Sequence, residues 1–219
     1  MSSNVAAMAR LESTKSAPRG VMTIDDVLAV IAATATIDPA AELALRLAAV
    51  AGARRAELAA LRWDDVRDGH LTIDSAIEVV TRGEGQRRLR DAATKTANVR
   101  TLSLDPETLA AVEALRVARE PYGPWMLGLG PELIAPDRIG WWWRRSRAIA
   151  GIDSRWRLHD LRHWSATVAI GQGHDVRTVA GRLGHANPAM TLRVYAHAFA
   201  SADEAVATGL GDMLRSRDR

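Results

Sequence analysis

The spacing of apolar residues changes period once in the middle of this chain, and that switch limits the fold more than any other feature. Helical spacing governs Val27, Leu28, Val30 and Ile31, continues through Leu43, Leu45, Leu47 and Val50, and returns at Leu109, Val112, Leu115 and Val117. Between these segments, Leu71, Ile73, Ala76, Ile77, Val79 and Val80 alternate in part. Turn-like Gly83-Glu84-Gly85, a basic run and Arg100-Thr101-Leu102-Ser103-Leu104 follow. The pattern predicts a mainly α fold with a small antiparallel β-sheet of two or three strands (α+β), with Lys95 near the last turn of the sheet.

Local signals divide the rest into helices. Thr23-Ile24-Asp25-Asp26 reads as an N-cap with acidic residues in the first turn, and Asp38-Pro39 as the start of a second helix that Gly52 interrupts. Arg54 to Leu61 makes a short third helix. Further helices are expected over Asp137 to Ala150, His159 to Ile170, Asp175 to Leu183, Pro188 to Phe199 and Ser201 to Leu214. Three consecutive indoles, Trp141-Trp142-Trp143, cannot share one helix face, so one should meet solvent or a partner while core packing takes the others. Residues 1–20, rich in Ser and Ala and ending in Pro18-Arg19-Gly20, read as a flexible linker or tail, which leaves 21–219 as one domain.

Charge is distributed more tellingly than it is totalled. Lys and Arg together number 29 against 26 acidic residues, a net charge of +3. The arginines cluster at Arg54-Arg55, Arg87-Arg88, Arg90, Arg144-Arg145, Arg147, Arg155 and Arg157. Such clusters suit a surface that tracks a polyanion, although solvated helix faces produce them too. The only lysines are Lys15 and Lys95. Arginine offers phosphate a permanent bidentate fork, whereas a lysine can release a proton, so Lys95 fits a role that arginine could not fill. The chain has no cysteine, which excludes disulfides, thiolate metal sites and cysteine nucleophiles. No signal-peptide core or membrane span is evident, and a cytoplasmic location is expected.

The residues that carry chemistry are few. His159 and Arg162 lie three apart on an expected helix and can face one target, for which a phosphate is the natural candidate. His159 and His163 also have the i, i+4 spacing of helical zinc ligands, but no Glu stands between them and no third ligand accompanies them, so no metal is expected. Gly184 has the character of a helix C-cap and Asn187-Pro188 of a helix start, which sets His185 in a tight joint between two helices with Tyr195 about two turns into the second. A free phenol has a pKa of about 10, so attack by Tyr195 needs a proton acceptor or a positive field. Arg54 stands at a helix start, where amide donors favour an anion, and Glu57 one turn later can hold it or form an ordinary surface ion pair. A nucleophile, cationic clamps and proton-transfer groups are what attack on a phosphodiester requires.

In their order along the chain these motifs resemble the catalytic domain of the tyrosine recombinase, or phage integrase, family. The resemblance runs from about Val21 to the C-terminus. It rests on Ala51-Gly52-Ala53-Arg54-Arg55-Ala56-Glu57-Leu58 with Leu61-Arg62-Trp63, Lys95-Thr96 before Arg100-Thr101-Leu102-Ser103-Leu104, His159-Asp160-Leu161-Arg162-His163, Leu183-Gly184-His185, and Tyr195-Ala196-His197. It implies a site-specific DNA recombinase that cleaves and rejoins strands. Tyr195 would form a 3′-phosphotyrosyl link, Arg54 and Arg162 would bind the non-bridging oxygens, and Lys95 would protonate the leaving 5′-oxygen. His159 would manage the nucleophile's proton with His185 in support, and Glu57 would back the site. No cofactor is implied, since the covalent link conserves the bond energy; Thr94 also stands where a phosphate loop would need glycine before Lys95-Thr96.

Double-stranded DNA is the implied partner, with a homo-tetramer assembled through the C-terminal helix. Ser201 and Glu204 have capping-box spacing there, and Val206, Leu210, Met213 and Leu214 form an apolar stripe that packs either on a neighbour or on its own domain. Family members usually carry a helical core-binding domain ahead of the catalytic one, and this chain begins too late to include it, so weak site-specific affinity is expected. Two other readings stand beside it: a catalytically unproductive DNA-binding regulator that keeps the fold, and a relaxing topoisomerase that uses the same chemistry. The filled catalytic positions favour the enzyme, and the motif pattern favours the integrase.

Overall fold

A computed structural model describes residues 20–82, 86–93, 99–185, 207–208 and 210–215. The chain enters through α1 (Ile24–Ala32), which opens on a capping box: the Thr23 hydroxyl accepts from the Asp26 amide at 3.1 Å, and Asp26 returns a carboxylate oxygen to the Thr23 amide at 3.3 Å. Next comes α2 (Pro39–Val50), capped by Asp38 with proline in its first turn. Leu43, Leu45 and Leu47 are all buried although they do not lie on one face, and Ala40, Ala41, Ala44, Ala48 and Ala49 fill the remaining sides. Only Glu42 and Arg46, an i, i+4 ion pair, keep a polar edge, so the helix sits largely within the core and its alanines let neighbours approach closely. It packs against α1, the short α3 (Arg55–Ala60), α4 (Pro106–Arg119), α5 (Pro136–Ile149) and α6 (Leu158–Gly171). Full burial of each leucine contributes roughly 1.5–3 kcal/mol.

The β segment forms two sheets where the sequence indicated one. Strands β1 (Val66–Arg67), β2 (His70–Ile73) and β5 (Arg100–Ser103) make an antiparallel sheet in the order β1-β2-β5, whose Leu71, Ile73 and Leu102 face the core. Strands β3 (Ser75–Arg82) and β4 (Gln86–Ala93) form a separate hairpin in register from Ser75↔Ala93 to Arg82↔Gln86. Asp74 breaks the run between them. The hairpin packs on the core through Ile77 and Leu89, while Arg88 and Arg90, which alternate with Leu89, are exposed on its other face.

The tryptophan run divides as its spacing requires. Trp142 and Trp143 are buried in α5, while Trp141 stays exposed beneath the guanidinium of Arg138, 4.7 Å from its ring centre. After α6 a turn through Gly173 leads to α7 (Val176–Leu183), which Asp175 caps through the Thr178 amide at 2.9 Å. Of the expected C-terminal helices, Pro188 to Phe199 lies outside the described residues, and within Ser201 to Leu214 residues 207–208 and 210–214 are helical. The capping pair Ser201 and Glu204 also falls outside them.

Candidate active site

Two glycine joints bring distant segments together. Gly52, between α2 and α3, has φ +60°, and a Cβ there would come within 2.4 Å of Leu183 Cδ2 on α7. Gly184 closes α7 in the left-handed conformation at φ +63°, with the His185 amide donating to Ala180 O at 3.0 Å and the Gly184 amide to Gly181 O at 2.9 Å. That paired bonding is a Schellman C-cap, and it turns the chain so that His185 leaves the helix end directly.

The last carbonyls of α7 and that of its cap are taken by arginines from three other elements. Arg100 Nε donates to Arg182 O at 3.1 Å, Arg162 Nη2 to Leu183 O, and Arg54 Nη2 to Gly184 O at 3.4 Å. A helix C-terminus leaves its last carbonyls without intrahelical donors and carries partial negative charge, so cations gather there for a physical reason. Arg162 is 3% exposed and also donates through Nη1 to Gly52 O, stapling the α2–α3 joint to the end of α7. Arg182 reaches back to Val50 O and Ser103 O at 3.3 and 3.1 Å.

Glu57 is the internal anion of this group. It is 2% exposed, so it is no surface ion pair. Its carboxylate accepts from Arg54 Nη1 at 2.7 Å, from the Arg54 amide at 2.8 Å, and from Arg100 Nη1 and Nη2 at 3.2 and 2.6 Å. Burial pushes its pKa up, but the hydrogen bonds and charge of Arg100 and Arg54 outweigh that and bring it from 4.5 to about 2. The amide at the start of α3, which the sequence offered to an external anion, is thus occupied by Glu57.

Burial and neighbouring charge disfavour the protonated forms of His159, His163 and His185. Burial, then the charges of Arg162 and Arg54, lower the His185 imidazole from 6.5 to about 4. His159 keeps an exposed edge at the first turn of α6, and desolvation of its inner side, His163 and Arg162 lower its pKa. The rings of His159 and His163 meet edge to face with centroids 4.8 Å apart, and burial lowers His163 as well. Among the described residues no three His, Cys, Asp or Glu side chains gather as a metal site.

Of the residues singled out in the sequence, Arg54, Glu57, His159, Arg162 and His185 come together around the end of α7. Lys95 and Tyr195 lie outside the described residues. Arg100 was missed. Alternation in β5 puts it on the inward face with Leu102, and a buried charge on a core face demands a partner, which was the available signal. Beside His159 opens a cleft of about 400 Å³ lined by Arg55, Arg144, Arg147 and Arg157 together with Trp143 and Trp156.

This architecture is that of tyrosine recombinase catalytic domains. It superimposes on the Tn1549 transposon integrase in complex with transposon right end DNA with a TM-score of 0.74 at 17% identity, over 92% of this chain and 68% of that one. The phage integrase family profile matches residues 134–202. The ICEBs1 integrase of Bacillus subtilis (strain 168) is 28% identical over 181 residues, 77% of this chain and 48% of its own length. Tyrosine recombinase XerC 2 of Ralstonia nicotianae is 30% identical over 199 residues, 84% of this chain and 50% of its own length. The chain belongs to the phage integrase, or tyrosine recombinase, family through its catalytic-domain region, and it spans about half the length of these curated relatives.

Proposed function

We propose that this domain cleaves and rejoins double-stranded DNA through a covalent 3′-phosphotyrosyl intermediate at Tyr195. The observation that carries the reading is the meeting of Arg54, Arg162, His159 and His185, drawn from the α3 start, α6 and the α7 end, around one helix terminus. Two guanidiniums fixed by carbonyl and carboxylate partners form a preorganised field for the extra charge of a pentacovalent phosphorane. The Tyr195 oxygen attacks phosphorus, the bond to the 5′-oxygen breaks, and Lys95 supplies the proton that leaves a 5′-hydroxyl. Rejoining reverses these steps, with the 5′-hydroxyl displacing the phenol, so no nucleotide is consumed.

The lowered pKa values of His159 and His185 fit this sequence of charge changes. A phosphodiester entering the site brings negative charge that raises the imidazole pKa values, so His159 can accept the phenol's proton once DNA is bound and His185 can hydrogen bond to the phosphate. The arginine-lined cleft supports a DNA backbone beside His159. Leu210 and Leu214, 58% and 75% exposed, support packing of the C-terminal segment on a neighbouring protomer, as a tetramer on DNA would require.

Incubation with a nicked suicide duplex followed by denaturing electrophoresis tests the reaction. The parent protein should shift to a slower, DNA-linked band, and Tyr195→Phe should lose that band while retaining DNA binding. Arg54→Ala and Arg162→Ala should each slow capture by about 10²- to 10³-fold. Capture by Tyr195→Phe would remove the nucleophile assignment.

A further inference from the structure

We propose that Arg100 is a positioning residue of this site, holding the Glu57 carboxylate and the end of α7 so that Arg54 keeps its aim toward the DNA phosphate within a cluster of net positive charge. The proposal rests on the strand-transfer reading above for its effect on rate, and on geometry for the rest. Arg100 is 7% exposed, and its backbone is fixed opposite Ile73 in the three-stranded sheet. Its Nη1 and Nη2 grip the two oxygens of Glu57 at 3.2 and 2.6 Å, while Nε donates to Arg182 O at 3.1 Å. The side chain also lies flat along the Gly184 backbone: a Cβ on Gly184 would stand 2.9 Å from Arg100 Nη1 and 3.1 Å from Cδ. One guanidinium therefore touches both the group that orients Arg54 and the residue that launches His185.

Charge explains why a third arginine is required. Arg54 and Glu57 at 2.7 Å would by themselves form a neutral pair, and a neutral pair stabilises a developing phosphorane poorly. Arg100 at 2.6 Å on the same carboxylate returns the trio to a net charge of +1. Lysine substitutes only in part: it restores the charge, but a single ammonium lacks the planar fork that serves two carboxylate oxygens and leaves a third donor for a carbonyl.

Arg100→Met, Arg100→Lys and the double variant Glu57→Gln/Arg100→Met test this, with capture rate on the suicide duplex at saturating protein, DNA Kd and Tm measured in parallel. In Arg100→Met the capture rate should fall by about 10- to 100-fold, the usual loss when a group that orients an active-site ligand is removed, with Kd changed less than about threefold. The double variant should recover at least about a tenth of the parent rate, because removing the carboxylate's charge frees Arg54 again. Arg100→Lys, which keeps the charge, should retain the fold and lie between. NMR titration of His185 in the free protein gives a readout without DNA. With Arg162, Arg54, His163 and His159 facing it, the parent imidazole should stay neutral down to about pH 4, and loss of the Arg100 clamp should move the midpoint up toward 6.5.

Rates within about threefold of the parent in folded variants, a double variant no faster than Arg100→Met, or an unmoved His185 midpoint would each overturn the proposal. If Arg100→Met fails to fold, Arg100→Lys carries the same comparisons. If the parent itself forms no adduct, the strand-transfer reading fails, and the His185 titration alone decides whether Arg100 positions the site.

Discussion

At the scale of single residues, the site is a set of charges whose signs depend on one another. Glu57 titrates at about 2 when folded and 4.5 when free, so the unfolded chain binds its proton first as the pH falls. Its stabilising contribution is complete above 4.5 and is lost on descent through about 2. His185 moves stability in the same direction higher up the scale. The unfolded imidazole protonates near 6.5 and the folded one near 4, so stability falls between those values as the solution is acidified. Thermal unfolding followed from pH 7.5 to pH 3 should therefore show Tm declining from about pH 6.5, and His185→Asn should flatten the upper part of the decline. A Tm independent of pH across that window would contradict the neutral, desolvated imidazole. Glu57→Ala leaves Arg100 buried without its carboxylate and should lower stability by about 3–5 kcal/mol in urea unfolding, the usual loss when one partner of a buried pair is removed. A loss under about 1 kcal/mol would mean that solvent screens the pair.

At the scale of elements, the end of α7 is where the segments of the site converge. It receives Arg100 from β5, Arg162 from α6 and Arg54 from the α3 start, while Leu183 packs into the space left by Gly52. Gly52→Ala sets a side chain in a left-handed conformation and drives a methyl into Leu183 at 2.4 Å, so the joint must open. A loss of about 2–4 kcal/mol is expected from strain and overpacking together. Capture of DNA should weaken beyond what the fraction folded explains, because the joint also carries Gly52 O to Arg162. Circular dichroism melts and capture assays on one preparation separate the two effects.

The sequence made the helix starts legible because Thr23, Asp38 and Asp175 cap with their own side chains, a local interaction. Gly184 was legible as a C-cap because the left-handed conformation that ends a helix favours glycine, which is also a local effect. The division into two sheets was not, since it depends on which strand faces find apolar cover, and the four-donor saturation of Glu57 was not, since Arg100 reaches it from 43 residues away. Local chemistry can be read from spacing, whereas long-range partners need the fold.

At the scale of the whole molecule, a net charge of +3 conceals a concentrated surface. Arg144 and Arg157 are exposed on a cleft that also carries Arg55 and Arg147 and borders His159. If DNA phosphates occupy that cleft, Arg144→Ala and Arg157→Ala should each weaken binding to any duplex and reduce the slope of log Kd against log salt by about 1. Capture at saturating protein should change little. Unchanged salt slopes in both variants would put the DNA elsewhere. Mass spectrometry of the adduct trapped on a suicide duplex shows whether a phenol attacks the phosphate that Arg54 and Arg162 would hold. After nuclease and protease digestion, a nucleotide should be linked through phosphate to Tyr195 in the peptide that contains it. A nucleotide attached to any other residue, or a trapped complex that dissociates in denaturant with no linked peptide, would contradict it.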